Sequence, residues 1–302
     1  MTFDTVIIGG GIAGWQAAIQ LSRCLRKVAV IDDGGGRSSA AKMYRNLLGF
    51  PSGISGDELR QAGRSHAVRF GAEHFEDQVI SLTQDADQLF RVETKRGRNA
   101  IQARTIVLAT GIADPFPEIA GLQECLGISV FICPDCDGFE TVRKKTAVIG
   151  KAKQAVRMAD ELFYYTDKLH LFISVEGEEK SELDSVKDCP YPFWLEPVAT
   201  LEHRDGEVSC LHLANGEQFA LSRVFLAFPG ARVESHLLRA FPVEMNEKGH
   251  VLVNPRTKET SYPGIWAIGD VAAHSQQVAI AMGDGSQAAI WIHKRLLQQD
   301  SK

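Results

Sequence analysis

Hydrophobic and polar positions along the chain open the same pattern twice. Near the N-terminus the apolar run Val6-Ile7-Ile8 meets a glycine turn at Gly9 to Gly14. An apolar helix is predicted from about Trp15 to Cys24, and a second apolar run, Val28-Ala29-Val30-Ile31, follows. Short continuous apolar runs on either side of a helix predict buried parallel strands joined by a crossover helix. From Gln88 to Val107 the pattern alternates, through Leu89, Arg91, Val92 and Thr94 and then Ile101, Ala103 and Ile106. That alternation predicts an antiparallel strand pair ahead of the strand Thr105-Ile106-Val107-Leu108. Asp114-Pro115-Phe116-Pro117 fits neither period and reads as a crossover. The second start lies at Lys145 to Leu162, where Thr146-Ala147-Val148-Ile149 meets Gly150 and a helical pattern. Further runs at Leu169-His170-Leu171-Phe172-Ile173 and Val224-Phe225-Leu226-Ala227 complete it, ending near Phe228-Pro229-Gly230.

These elements predict an α/β fold with two Rossmann-like domains of the dinucleotide-binding type, the second inserted in the first. The first domain is expected at residues 1–113 and 232–302, the inserted one at 114–231. A chain of 302 residues is long enough for two cores. No apolar run reaches the roughly 20 residues of a membrane helix, and no signal-peptide pattern opens the chain, so a cytoplasmic protein with no membrane partner is expected. A net charge of −5 with interspersed signs removes nucleic acid from the expected partners. Six cysteines are too few for a disulfide scaffold, and only Cys133 and Cys136 form a close pair.

Gly9-Gly10-Gly11-Ile12-Ala13-Gly14 fits G-x-G-x-x-G, in which glycines allow a tight turn, close approach of backbone to a pyrophosphate and close helix packing. Asp32-Asp33 stands about 20 residues on, where a carboxylate meets ribose hydroxyls. The chain also carries Thr105-Ile106-Val107-Leu108-Ala109-Thr110-Gly111 and Tyr262-Pro263-Gly264-Ile265-Trp266-Ala267-Ile268-Gly269-Asp270. These resemble the two further FAD motifs of two-dinucleotide flavoproteins. The resemblance implies FAD as cofactor, held by Gly9, Gly11, Ile12, Ala13, Gly14, Asp32, Asp33, Asn46, Ala109, Thr110, Gly111, Gly269, Asp270, Gln277, Val278 and Ala279. Asp270 would bind the ribityl chain, and the helix opening at Gln277 would face the flavin pyrimidine with its positive end.

Cys133-Pro134-Asp135-Cys136-Asp137-Gly138 resembles the C-x-x-C-D-G centre of low-molecular-weight thioredoxin reductases. With Asn46-Leu47-Leu48-Gly49-Phe50-Pro51 and Ile54-Ser55-Gly56, the resemblance covers essentially the whole chain. It implies electron exchange between flavin and Cys136, exchange of Cys133 with a thioredoxin-like protein or a small dithiol or disulfide, a proton shuttled by Asp137, and a homodimer. A zinc half-site is the other use of such a pair, but no second C-x-x-C or H-x3-H supplies the remaining ligands, and no metal is expected. Cys24, Cys125, Cys189 and Cys210 have no near partner and read as buried or incidental thiols. His66, His74, His170, His203 and His274 are scattered and receive no role.

Two departures from thioredoxin reductases point away from NADPH. Where those enzymes have a second glycine fingerprint, this chain has Gly150-Lys151-Ala152-Lys153-Gln154-Ala155, with a methyl group at the middle position. Where they place arginines for the 2′-phosphate, it has Ser174-Val175-Glu176-Gly177-Glu178-Glu179, an acidic stretch. Gln276 also replaces an arginine common in nicotinamide-dependent members. The implied subgroup takes electrons from ferredoxin or from another flavin, as in ferredoxin-dependent thioredoxin reductases and diflavin-linked disulfide oxidoreductases; Lys151 and Lys153 leave open a second flavin in the degenerate site. An oxygen-using dithiol oxidase and a flavin redox sensor without turnover are the alternatives. Relatives of the oxidase kind usually carry histidine after the second cysteine, where this chain has Asp137.

Overall fold

The computed structural model describes residues 1–97 and 101–301, and its contacts divide the chain into two units. The first consists of Met1–Ser39, Leu47–Ala113 and Arg232–Lys302; the second consists of Ala40–Asn46 and Asp114–Ala231. The short segment Ala40–Asn46 belongs to the second unit, and Ala40 packs on that unit's core. No helix among the described residues is long and apolar enough to cross a membrane.

In the first unit the opening run becomes the strand Thr2–Ile8 of a seven-stranded sheet. Its order is Glu73–Glu76, Val28–Asp32, Thr2–Ile8, Ile101–Leu108, Phe90–Thr94 and Val79–Gln84, with Ile265–Ala267 also paired to Ile101–Leu108. Alternation along Thr2–Ile8 decides what lies on each face. Ile7 joins Val30, Val107 and Trp266 against the helices Ile12–Arg23 and Val278–Asp300, whereas Val6 and Ile8 join Ile31, Ile106 and Leu108 on the other side. The two helices meet closely because Gly285 lies where a Cβ would stand 2.5 Å from the Ala13 carbonyl oxygen.

Two expectations need adjustment here. The opening helix starts at Ile12 rather than Trp15, because Gly11 already serves as its N-cap. The supposed antiparallel partner and the strand Thr105-Ile106-Val107-Leu108 are one strand, Ile101–Leu108. It pairs antiparallel with Phe90–Thr94 through Ile101 to Ala103, and parallel with Ile265–Ala267 through Ile106 to Leu108. Residues 98–100, which fall between Phe90–Thr94 and Ile101–Leu108 in the sequence, lie outside the described residues.

The second unit has a five-stranded parallel sheet in the order Phe193–Trp194, Leu169–Ile173, Thr146–Gly150, Arg223–Ala227 and Val130–Phe131. Helix Ala152–Leu162 buries Ala152, Ala155, Ala159 and Leu162, the i, i+3, i+7, i+10 stripe expected of a helix lying on a sheet. A three-stranded antiparallel sheet, Val198–Arg204, Glu207–Leu213 and Gln218–Ala220, completes the unit. The sequence reading missed it because polar side chains such as Glu202, Glu207 and Ser209 break its apolar runs, leaving Leu201, Val208, Leu211 and Leu213 to supply its buried face.

Candidate active site

Cys133 and Cys136 form a disulfide around the short helix Pro134–Asp137, with Cα atoms 5.3 Å apart. Pro134 favours a helix start because its missing N–H is not needed in the first turn. Cys133 is the N-cap, and its sulfur accepts a hydrogen bond from the Cys136 N–H at 3.2 Å. Once the bond is opened, that donor favours negative charge on the Cys133 sulfur. Both cysteines are half-buried. Asp137 follows directly, and burial pushes its carboxyl up to about 6; Glu140 adds to the rise and Arg45 opposes it. Arg45 comes from the segment Ala40–Asn46 and pairs with Glu140 at 3.6 Å, so this segment sets the charge balance around the acid. Sequence spacing gave no sign of Arg45, which lies about 90 residues before Asp137.

In the first unit Gly9, Gly11, Ile12, Ala13 and Gly14 lie at the junction between the strand Thr2–Ile8 and the helix Ile12–Arg23. Gly9 has φ of 106°, and a Cβ there would run into the Ala109 carbonyl; a Cβ at Gly14 would run into the Gly9 carbonyl. At Gly11 a Cβ would meet nothing within 4 Å. No side chain caps the helix, and no acidic residue stands in its first turn. Two glycines therefore close the turn, and the third lies beside open space at a positive helix end, an arrangement that fits a pyrophosphate. Ala109, Thr110 and Gly111 follow the strand Ile101–Leu108, with the Thr110 hydroxyl donating to the Glu234 carbonyl at 2.6 Å. Asn46, expected with this group, is an exposed residue of the second unit.

Asp32 ends the second strand as predicted, but its carboxylate is engaged within the protein. It accepts from the Gly10 N–H at 2.9 Å and pairs with Arg60 at 2.9 Å, bracing the glycine turn; Asp33 is the exposed neighbour. Asp270 pairs with Arg37 at 3.1 Å, and Arg37 also donates to the Gln276 side-chain oxygen. A guanidinium thus reaches this position from the short helix Arg37–Ala40, although residue 276 itself is not arginine. Gln277 caps the helix Val278–Asp300, which includes Val278 and Ala279, again with no side-chain cap and no acid in the first turn.

Behind Gly269 lies a buried polar group that the sequence reading left without a role. Asp284 accepts from the Gly269 N–H at 3.0 Å and from His274 Nε2 at 2.6 Å, and pairs with Lys258 at 2.8 Å. Burial works against the Asp284 charge, but these partners outweigh it and its carboxyl lies below the usual range; His274 is raised, chiefly by its bond to Asp284. The remaining cysteines are free. Cys125 is buried, its thiol pushed up to about 11 by burial, and Cys24, Cys189 and Cys210 are half-buried. On the antiparallel sheet Glu202, Cys210 and His212 hold their ligand atoms within 4.8 Å of one another, with His212 on Glu202 at 3.2 Å.

At the second strand-to-helix junction the chain turns through Lys151 alone between the strand ending at Gly150 and the helix beginning at Ala152. Ala152 is fully buried, and its N–H donates to Glu178 Oε1 at 3.1 Å. Lys151 donates to the carbonyls of Ser174, at 3.3 Å, and Glu176.

Residues 3–175 and 194–285 match the family model described as pyridine nucleotide-disulphide oxidoreductase. The chain is 30% identical, over 95% of its length, to NADPH-dependent thioredoxin reductase 3 of Arabidopsis thaliana, of which it spans 57%. It is 30% identical, over 98% of its length, to thioredoxin reductase of Mycolicibacterium smegmatis, of which it spans 97%. Among solved structures it is similar to that of HlmI, with a TM-score of 0.85 and 29% identity, covering 99% of this chain and 94% of the other. The chain therefore belongs to the pyridine nucleotide-disulphide oxidoreductase family and is an oxidoreductase acting on a sulfur group, similar to thioredoxin reductases.

Proposed function

We propose that the protein passes electrons between FAD and the Cys133–Cys136 disulfide, and on to a thioredoxin-like protein or small disulfide, without NADPH as its donor. The observation that carries this reading is a contrast: the chain keeps a redox disulfide with an acid of raised pKa beside it, yet has a carboxylate at the helix end where a nicotinamide dinucleotide would bind. FAD would be held by the glycine turn and by Asp33, Ala109, Thr110, Gly111, Asp270, Gln277, Val278 and Ala279, with Asp32 bracing the turn; Gly269 fixes the second motif. When bound, it supplies the electron pair. Reduction of the disulfide consumes two electrons and two protons and yields two thiols. Cys136 is the sulfur that exchanges with the flavin, and Asp137 holds and returns one of the protons. The Cys136 N–H stabilises thiolate on Cys133, which suits Cys133 to attack the partner's disulfide. The donor in this reading is ferredoxin or another flavin, and the protein works as a cytoplasmic homodimer.

The test is anaerobic titration of the FAD-loaded protein with NADPH, and separately NADH, following the flavin's visible absorption band. No bleaching by either, with full bleaching by dithiothreitol or dithionite, is the expected result. Fast bleaching by NADPH overturns the donor assignment. Rapid reoxidation in air with release of peroxide would make the protein a dithiol oxidase instead.

A further inference from the structure

The loop after the strand Leu169–Ile173 folds back across the N-terminus of the helix Ala152–Leu162 and is tied there at two points. The Lys151 ammonium holds the Ser174 and Glu176 carbonyls, and Glu178 accepts from the Ala152 N–H. Glu178 cannot swing far, because the next residue, Glu179, is the N-cap of the helix Lys180–Lys187 and forms a capping box with Glu182. The junction is also shorter than its counterpart in the first unit. There Gly9, Gly10 and Gly11 separate strand from helix, and Gly11 is a half-buried cap at which a Cβ would meet nothing within 4 Å; here Ala152 is already the first helical residue and is buried. A helix N-terminus favours an anion, and an anion supplied by the same chain is always at hand. A pyrophosphate arriving at this place would have to displace the Glu178 carboxylate, which also has the Glu182 carboxyl beside it.

We propose that Glu178 is an internal ligand of the second unit: its carboxylate takes the place of the pyrophosphate and thereby excludes nicotinamide dinucleotides, so that Glu178 determines donor specificity. The proposal rests on the reading above that NADPH is not the donor, and adds the residue responsible.

The experiment measures NADPH binding to the full-length, FAD-loaded protein by equilibrium dialysis, for the wild type, Glu178→Gln, and Glu178→Ala combined with Ala152→Gly. The wild type should show no saturable binding. Glu178→Gln removes the charge and keeps an acceptor, and the double variant reopens the turn; the double variant should bind at least about tenfold more tightly than the wild type, with Glu178→Gln between them. If both variants bind as weakly as the wild type, Glu178 is not the determinant, although the wild type's indifference to NADPH still stands. If the wild type itself binds NADPH tightly and its flavin bleaches, the donor reading fails and this proposal with it. A measurement on the wild type alone guards against a double variant that does not fold. Inorganic pyrophosphate should leave its thermal unfolding unchanged, and a pyrophosphate-dependent rise traced to the second unit by protection of the Ala152 amide would overturn the proposal.

Discussion

The two strand-to-helix junctions of this chain begin alike and end in different chemistry. At the first, three glycines leave the start of the helix Ile12–Arg23 without a side-chain cap and with open space at Gly11. At the second, one lysine makes the turn, a buried alanine opens the helix, and a glutamate satisfies its N–H. The difference separates two properties that usually travel together in a dinucleotide fold. The strand, turn and helix geometry follows from apolar strands and a small residue where the backbones cross; Gly150, where a Cβ would run into the Ala227 carbonyl, keeps that part. The capacity to hold a phosphate depends on unsatisfied N–H groups at the helix end, and there the second unit differs from the first.

The largest expected effect lies at the first junction. Gly14→Val puts a branched side chain against the Gly9 carbonyl, where no flexible neighbour can give way. Overpacking of this kind costs about 1–3 kcal/mol, and here it also displaces the turn proposed to hold the FAD pyrophosphate. The expected outcome is a protein purified with little or no flavin and with a lowered unfolding midpoint. A Gly150→Ala change at the second junction should lower stability in a similar way while leaving the flavin content of the folded fraction intact. Equal loss of flavin from both would break the contrast between the junctions.

A smaller effect is expected at Asp137, the acid proposed above to hold and return a proton beside the disulfide. Burial raises the carboxyl to about 6, so it is mostly protonated below that pH and mostly ionised above it. Proton transfer by a positioned acid is worth roughly 10²–10⁴-fold. Asp137→Asn should slow dithiol–disulfide turnover by about 10²-fold and remove the inflection near pH 6 from the rate profile. A variant that retained both rate and inflection would take Asp137 out of the proton path. Because the folded pKa is raised, ionising Asp137 costs stability as pH rises from the unfolded value towards 6, and Asp137→Asn should relieve that cost even as activity falls.

Both junctions could be read from the chain because each rests on local signals: an apolar run, a glycine and a helical period within about 20 residues. The disulfide was legible for the same reason, since Cys133 and Cys136 are three residues apart. What the sequence did not disclose are partners brought together across the fold. Arg60 on Asp32, Arg37 on Asp270 and Arg45 beside Glu140 each join residues separated by 28 positions or more, and none has a spacing that marks it. The acidic stretch around Glu178 was visible as charge, and its sign already argued against a phosphate. That its carboxylate reaches the Ala152 N–H is a property of the folded loop.

The smallest expected effect concerns a charge network with which the first unit holds its second glycine motif. Asp284 accepts from Gly269, His274 and Lys258, and His274 also faces the Ser275 carbonyl. The raised pKa of His274 means that the fold favours its protonated form. Its stabilising contribution is therefore complete below the unfolded value of roughly 6.5 and is lost as pH rises through the higher folded value. Asp284 acts in the opposite direction: its depressed pKa gives a contribution that is present at neutral pH and is lost only as pH falls through the folded value. His274→Gln keeps a hydrogen-bond donor and removes the charge, so it should cost about 1 kcal/mol at pH 6 and progressively less in alkaline buffer. Thermal unfolding of the two proteins across that range gives the check. A difference that grew with pH would mean that His274 is held neutral, with Lys258 and the Gly269 N–H left as the groups that balance Asp284.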